Sequence, residues 1–252
     1  MDRGTETMNN YLSDMKKVSV RQTRRGWFQE LLGCEAKTEF KLFSEGTDQF
    51  ATALEDSNCC LRLLLPQIRP FTMKVEELET GNEILTVDRQ CALPLCALKC
   101  CCFQEMSFES GGQNLGKIEE QCYYFVPIFK IYDENDNPVY KVHQPTCVGG
   151  LCVNCCAAGN PCGKGCCKVP FNVYPESQED THGGAPYIGR ILKVPKSLMT
   201  ELFTDAEAFD VTFPEDATSS QKAMLIGSAI FLNAIFFEGQ DNAGDEAIDA
   251  AI

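Results

Sequence analysis

The stretch "AMLIGSAIFLNAIFFEG", residues 223–239, decides how the rest of the chain is read. From Ala223 to Phe237 it carries no charge, and Ser228 and Asn233 are its only clearly polar residues. As a helix this run is roughly 22 Å long at about 1.5 Å per residue. A hydrocarbon core is about 30 Å thick and usually takes about 20 residues to cross, so the run is short for a simple span. A helix apolar on every face must nevertheless stay out of water, inside protein or inside lipid. Three placements are open at this point: burial in a protein core, insertion in a bilayer, and exchange between the two. The length favours burial. Thr218 and Gln221 stand at the spacing of a capping box and Gly239 where a helix commonly stops, so the expected helix covers 222–238.

Upstream, one local pattern recurs. An aromatic residue opens a short alternating run, a polar turn follows, and a second alternating run returns. "FKLFSEGTDQFATA" starts at Phe40, "FTMKVEELETGNEILTV" at Phe71 and "FKIYDENDNPVYKV" at Phe129. "FNVYPESQED" starts at Phe171 and is answered by "YIGRILKV", while "FDVTFPED" at Phe209 is a single strand and "MSFESGGQNLGKIEE" at Met106 a weaker copy. Period-two alternation broken by Gly, Asn, Asp and Pro is the mark of antiparallel hairpins. About ten to twelve short strands result, and so many edges call for a closed or doubled sheet. A barrel of about a dozen strands has more interior than its own side chains fill. The apolar helix is the candidate plug.

The totals narrow the function classes. A 252-residue chain with 44% hydrophobic residues can build a substantial core. Its net charge of -14 argues against nucleic acid, whose binding depends on Lys and Arg neutralising phosphates. It equally disfavours adsorption of the bare surface on anionic lipid. "MDRGTETMNN" has neither the cationic nor the apolar region of a secretory signal, so the expected side is cytosolic. There the sixteen cysteines stay reduced and serve as metal ligands, lipid attachment points or buried small residues. Clusters at 59–60, 91–102 and 147–167 each follow a hairpin. Within the last, Cys152 and Cys155, then Cys162 and Cys166, with His143 upstream, have spacings that can close a tetrahedral zinc site. The same thiols also suit acylation or a reduced loop. With His143 and His182 as the only histidines, and no nucleophile elbow or P-loop, no covalent catalysis is expected. "RQTRRGWFQELLGC", residues 21–34, reads as a short amphipathic helix carrying Trp27, Phe28 and Leu31, and 240–252 as an acidic tail.

Six blocks together carry a family resemblance: "LEDSNCCLR" (54–62), "RPFTMKV" (69–75), "EILTVDR" (83–89), "CCCFQE" (100–105), "ELFTDAEAFDVTFPED" (201–216) and "KAMLIGSAIFLNAIFFEG" (222–239). In order and spacing they resemble the phospholipid scramblases, from about Phe40 to Glu238. The resemblance implies a mainly β, tubby-like fold: a closed antiparallel barrel of about twelve strands enclosing the hydrophobic C-terminal α-helix. On that reading residues 1–36 are a partly helical N-terminal segment and 37–239 the barrel with its helix. It implies calcium-activated, ATP-independent, bidirectional movement of phospholipids between leaflets, without covalent chemistry. It also implies a position at the cytosolic face of the plasma membrane, lipid-anchored or single-pass type II. Cys100, Cys101 and Cys102 match the family's palmitoylated cluster, although Lys99 interrupts the longer run. Segment 207–218 matches its proposed calcium site, where Glu207, Asp210, Glu215 and Asp216 supply carboxylates. Thr218 stands where an acidic end ligand belongs, and the sixth place lacks the glycine of an EF-hand turn. The alternative to a scramblase is a lipid-anchored tubby-like adaptor that moves no lipid.

Overall fold

A computed structural model describes residues 3–24, 38–45, 48–57, 69–90, 103–123, 126–145, 168–179, 185–194 and 208–237. The chain opens with a helix, α1 (Arg3–Leu12), and then lays down β1 (Lys17–Arg24), β2 (Thr38–Phe43), β3 (Gln49–Asp56) and β4 (Phe71–Glu77). Next come β5 (Glu83–Arg89), β6 (Glu105–Ser110), β7 (Gln113–Glu120) and β8 (Ile128–Asp133). The last strands are β9 (Pro138–His143), β10 (Val169–Pro175), β11 (Gly189–Val194) and β12 (Ala208–Thr212). A second helix, α2 (Ser219–Leu232), runs on through one π-helical turn at Asn233–Phe237. Each strand pairs antiparallel with its neighbours in sequence, and β1 pairs with β12, with Ser19 opposite Asp210, to close a twelve-stranded barrel.

All the hairpins read from the sequence form as β2–β3, β4–β5, β6–β7, β8–β9 and β10–β11, with β12 as the single strand. Their alternation is an inside-outside code. In β4, Phe71, Met73 and Val75 are buried while Thr72, Lys74 and Glu76 reach outward. Two elements depart from the expectation. Arg21–Arg24 belongs to β1 and is strand, not the start of an amphipathic helix, and Trp27, Phe28 and Leu31 lie outside the described residues. The barrel therefore begins well before residue 37. Among the described residues, the helical part of the N-terminal segment is α1, whose Met8 and Leu12 are fully buried.

The core is the barrel interior, and α2 fills it. Residues 222–232 of α2 are all buried. At its start Thr218 accepts from the Gln221 N–H while the Gln221 side chain accepts from the Thr218 N–H, so the capping box forms. Lys222 then donates to the carbonyls of Leu12 at 2.9 Å and Ser13 at 2.7 Å, tying α2 to the C-terminal end of α1. At the other end Phe236 and Phe237 meet the wall: Phe236 lies 6.0 Å from Phe129 and 5.9 Å from Phe171, and Phe237 lies 5.7 Å from Phe209. The helix thus runs the length of the barrel from the α1 rim to the rim where the odd strands end. Fully burying one such aromatic contributes about 1.5–3 kcal/mol.

Close packing between rod and wall depends on missing side chains. A Cβ on Gly227 would sit 2.4 Å from Phe108 Cε1, inside any permissible contact. Gly116 on β7, at φ 135°, faces Met224, and a Cβ there would come 2.0 Å from the Tyr132 carbonyl oxygen. Overpacking a tight core typically costs about 1–3 kcal/mol. Gly227→Ala is therefore expected to lower stability by about that amount in urea unfolding, with Phe108→Leu recovering part of it in the double variant. An unchanged midpoint for Gly227→Ala would contradict the fit described.

Candidate functional site: the enclosed helix and its surroundings

The nineteen helical residues Ser219–Phe237 are long and apolar enough to cross a membrane by length and composition, yet most of that stretch is buried inside the barrel. Between Ala223 and Phe237 its two polar side chains each donate one hydrogen bond, while Asn233 Oδ1 is buried with no partner. Ser228 Oγ donates to the Met224 carbonyl at 2.7 Å, and Asn233 Nδ2 donates to Gln22 Oε1 on β1 at 3.3 Å. Bonding back to the preceding turn is how a helix hides a hydroxyl without a partner from another element. The π turn starts at Asn233, and such turns occur frequently at functional sites. Lys193 on β11 caps this end with its Nζ 3.7 Å from the Phe237 ring centroid.

The same rim is braced by buried polar pairs that the sequence reading did not single out. Arg69 forks onto Glu55, Nε to Oε1 at 3.0 Å and Nη2 to Oε2 at 2.8 Å, with both side chains almost wholly buried. Burial pushes the Glu55 carboxyl up, but Arg69's hydrogen bonds and charge, helped by Ser57 and Thr38, hold it below the ordinary range. Arg89 donates to Gln104 Oε1 at 2.7 Å, and the Gln104 N–H reaches Glu120 Oε2 at 3.3 Å. These pairs tie the end of β3 to the approach to β4, and the end of β5 to the approach to β6 and the end of β7. A signal was present. Arg69, Arg89 and Glu120 fall at inward positions of the alternation, in step with Phe71, Val87 and Ile118.

Of the calcium-site residues, Asp210 sits on the outer wall of β12. It accepts from Ser19 Oγ at 2.7 Å, from Lys17 Nζ at 2.9 Å and from Arg21 Nη2 at 3.1 Å. Glu215 and Asp216 are exposed in the turn between β12 and α2, and Glu207 lies outside the described residues. Among the described residues no three His, Cys, Asp or Glu side chains are arranged to hold a metal ion. Calcium wants six to eight oxygens, whereas both Asp210 oxygens already serve cations of β1. As it stands, the described part of 207–218 does not fit a calcium cage. Cys100, Cys101, Cys102 and the zinc candidates Cys152, Cys155, Cys162 and Cys166 lie outside the described residues.

A family model described as Scramblase matches residues 2–239. The chain belongs to the scramblase family. It is 28% identical over 229 residues to phospholipid scramblase 2 of Bos taurus, covering 90% of this chain and 70% of the relative. It is 26% identical to human phospholipid scramblase 1, covering 90% and 65%. Against human phospholipid scramblase family member 5 it is 25% identical, covering 90% and 76%. The chain therefore spans about two thirds of the length of several of these relatives. No solved structure matches.

Asp210 makes a pH prediction. Burial pushes its carboxyl up, but the hydrogen bonds from Ser19 and Lys17 and the charges of Arg21 and Lys17 together hold it below the usual value. A carboxyl lowered by folding adds stability above its unfolded pKa of about 3.9, and that contribution disappears as pH falls through the lower folded value. Asp210→Asn is expected to be less stable than the parent at pH 7, with the difference closing below about pH 4. Urea midpoints at both pH values check this, and a gap that persists at pH 2 would contradict it.

Proposed function

We propose that this chain is a phospholipid scramblase, moving phospholipids in both directions between the leaflets of a membrane. One observation carries the reading: in a scramblase-family chain, a helix of nineteen residues, roughly 28 Å long, is held inside a closed barrel. That length nearly matches the roughly 30 Å of a bilayer core. Scrambling makes and breaks no bond. It needs only a lower barrier for a polar headgroup crossing hydrocarbon, so it asks for apolar surface delivered to lipid rather than for a nucleophile or base. The family resemblance further suggests activation by calcium without ATP, and no step through the ion is assigned to the described carboxylates.

Attachment is proposed through acyl chains on Cys100, Cys101 and Cys102 at the cytosolic face of the plasma membrane. One acyl chain holds a protein only marginally, at about 0.8 kcal/mol per buried CH₂, and stable anchoring takes two signals. Three adjacent thiols meet that requirement. Replacing all three by Ala is expected to move most of the protein from the membrane fraction to the soluble one, and retention in the pellet would contradict it. Cys152, Cys155, Cys162 and Cys166 are proposed to bind zinc. One zinc per chain in reduced protein is the expected analysis.

A second reading, a lipid-anchored adaptor whose helix never leaves the barrel, draws on the Lys222 bonds to α1 and the complete burial of 222–232. Vesicles carrying a fluorescent phospholipid in both leaflets separate the two. With reconstituted protein, calcium and no ATP, an external quencher should reach nearly all of the label. A protected half that persists with and without calcium supports the adaptor and overturns scrambling.

A further inference from the structure

The outer wall of the barrel is divided by charge. On seven adjacent strands, from β8 through β12 and β1 to β2, the outward strand positions carry the cations Lys17, Arg21, Lys41, Lys130, Lys141 and Arg190. The carboxylates among them are Glu39, which is buried, and Asp210. On the other five strands, β3 to β7, the outward positions carry Asp56, Glu76, Asp88, Glu105, Glu109 and Glu119, with Lys74 and Lys117 as the cations. None of those six cations and none of those six carboxylates is buried. A chain of net charge -14 thus keeps one cationic half-wall. The turns at the α1 rim are acidic in both halves, with Glu45, Glu79, Asp136 and Glu215 among them, so the division belongs to the wall.

Local pairing does not cancel either half. In the cationic half two cations twice share one carboxylate: Lys17 and Arg21 on Asp210, at 2.9 and 3.1 Å, and Lys130 and Lys141 on Glu176, at 2.9 and 3.7 Å. In the anionic half the ratio inverts, with Lys117 serving Glu105 at 3.4 Å and Glu119 at 3.9 Å, and also Asp136 of the turn after β8 at 3.8 Å. Strand register points the same way. Arg21 stands directly opposite Lys41, Lys130 opposite Lys141, and Glu105 opposite Glu119. Like charges in such cross-strand pairs destabilise a sheet, and a surface of opposite sign offsets that cost. The exposed large apolar residues favour neither half. Among the described residues, Leu54 and Leu78 belong to β3 and the β4–β5 turn, Tyr187 and Ile188 to the connection between β10 and β11.

We propose that copies of this chain associate side by side, the cationic wall of one against the anionic wall of the next. An anionic lipid surface would serve the cationic wall alone, whereas a second copy serves both, and that complementarity decides the occupant. At physiological salt the Debye length is about 8 Å, so charges in contact act while the remaining negative charge of the two copies is largely screened. The contact is heterologous, because the two walls lie on opposite sides of one barrel. Each copy in a dimer keeps an unused wall, and growth continues past the dimer. The proposal stands on charge and register and is independent of scrambling.

Sedimentation of the full-length, reduced chain at physiological salt tests it, together with two variants that each spoil one wall. Lys41→Glu with Lys130→Glu alters the cationic wall and places carboxylates opposite Arg21 and Lys141. Glu76→Lys with Glu105→Lys alters the anionic wall and places a cation opposite Glu119. The parent's weight-average mass is expected to rise with concentration past twice the monomer's and to return to the monomer's in high salt. Each variant alone should stay at the monomer mass, although the second is less negative than the parent. Mixed in equal amounts, the two still present one intact wall each, and the mass should rise to at least one and a half times the monomer's. Recovery on mixing also excludes misfolding as the cause of the loss. A parent that stays monomeric, a plateau at the dimer, undiminished association of either variant alone, or a mixture that stays monomeric overturns the proposal. Flotation with phosphatidylcholine and phosphatidylserine (3:1) vesicles covers the other occupant. Vesicle binding by a monomeric parent, abolished by Lys41→Glu with Lys130→Glu, would assign the cationic wall to lipid and overturn the pairing of copies.

Discussion

A helix with no polar face has nowhere to go in water, and the architecture follows from that constraint. Once Ala223–Phe237 is helical, each of its sides needs apolar cover. A single packed sheet would cover one side, whereas a closed barrel covers all of them. The twelve strands supply it with inward residues such as Phe108, Phe129, Phe171 and Phe209, and in closing they leave no open edge for another chain to pair with. Gly227 and Gly116 show how tight the enclosure is, since neither tolerates a methyl group where it meets the opposing surface. The helix and the wall are each unsatisfactory alone, and together they form one core.

The polar groups of the interior sort by height along that core. At the α1 rim Lys222 takes the carbonyls at the C-terminal end of α1 as its partners, a placement favoured by the helix dipole. In the middle, only Ser228 interrupts the apolar surface, and it satisfies itself within the helix. At the rim where α2 finishes, the buried Arg69–Glu55 ion pair and the Arg89–Gln104 hydrogen bond hold neighbouring strand ends together. Breaking such a pair is strongly destabilising, because it leaves a buried charge without compensation.

Much of the fold was legible in the sequence because each hairpin is written locally: an aromatic opening, period-two alternation and a turn within about fifteen residues. β1 escaped that reading. "KVSVRQTR" carries no aromatic residue, and its basic second half resembles a helical arm until β2 and β12 pair with it. α1 escaped because "RGTETMNNYL" is mostly polar, and only the docking of Met8 and Leu12 makes sense of it. The sites were less legible for a different reason. The partners of Asp210 lie about 190 residues away on β1, so nothing near "EAFDVTFPED" announces that its carboxylate is already in use.

Amide hydrogen exchange of the lipid-free protein tests the enclosure most directly, read peptide by peptide across 219–237. With the rod wrapped by the barrel, its amides should be among the slowest in the chain and exchange only with global unfolding. Fast exchange of that segment while the strand amides stay protected would show the helix outside the wall, and the account would fail.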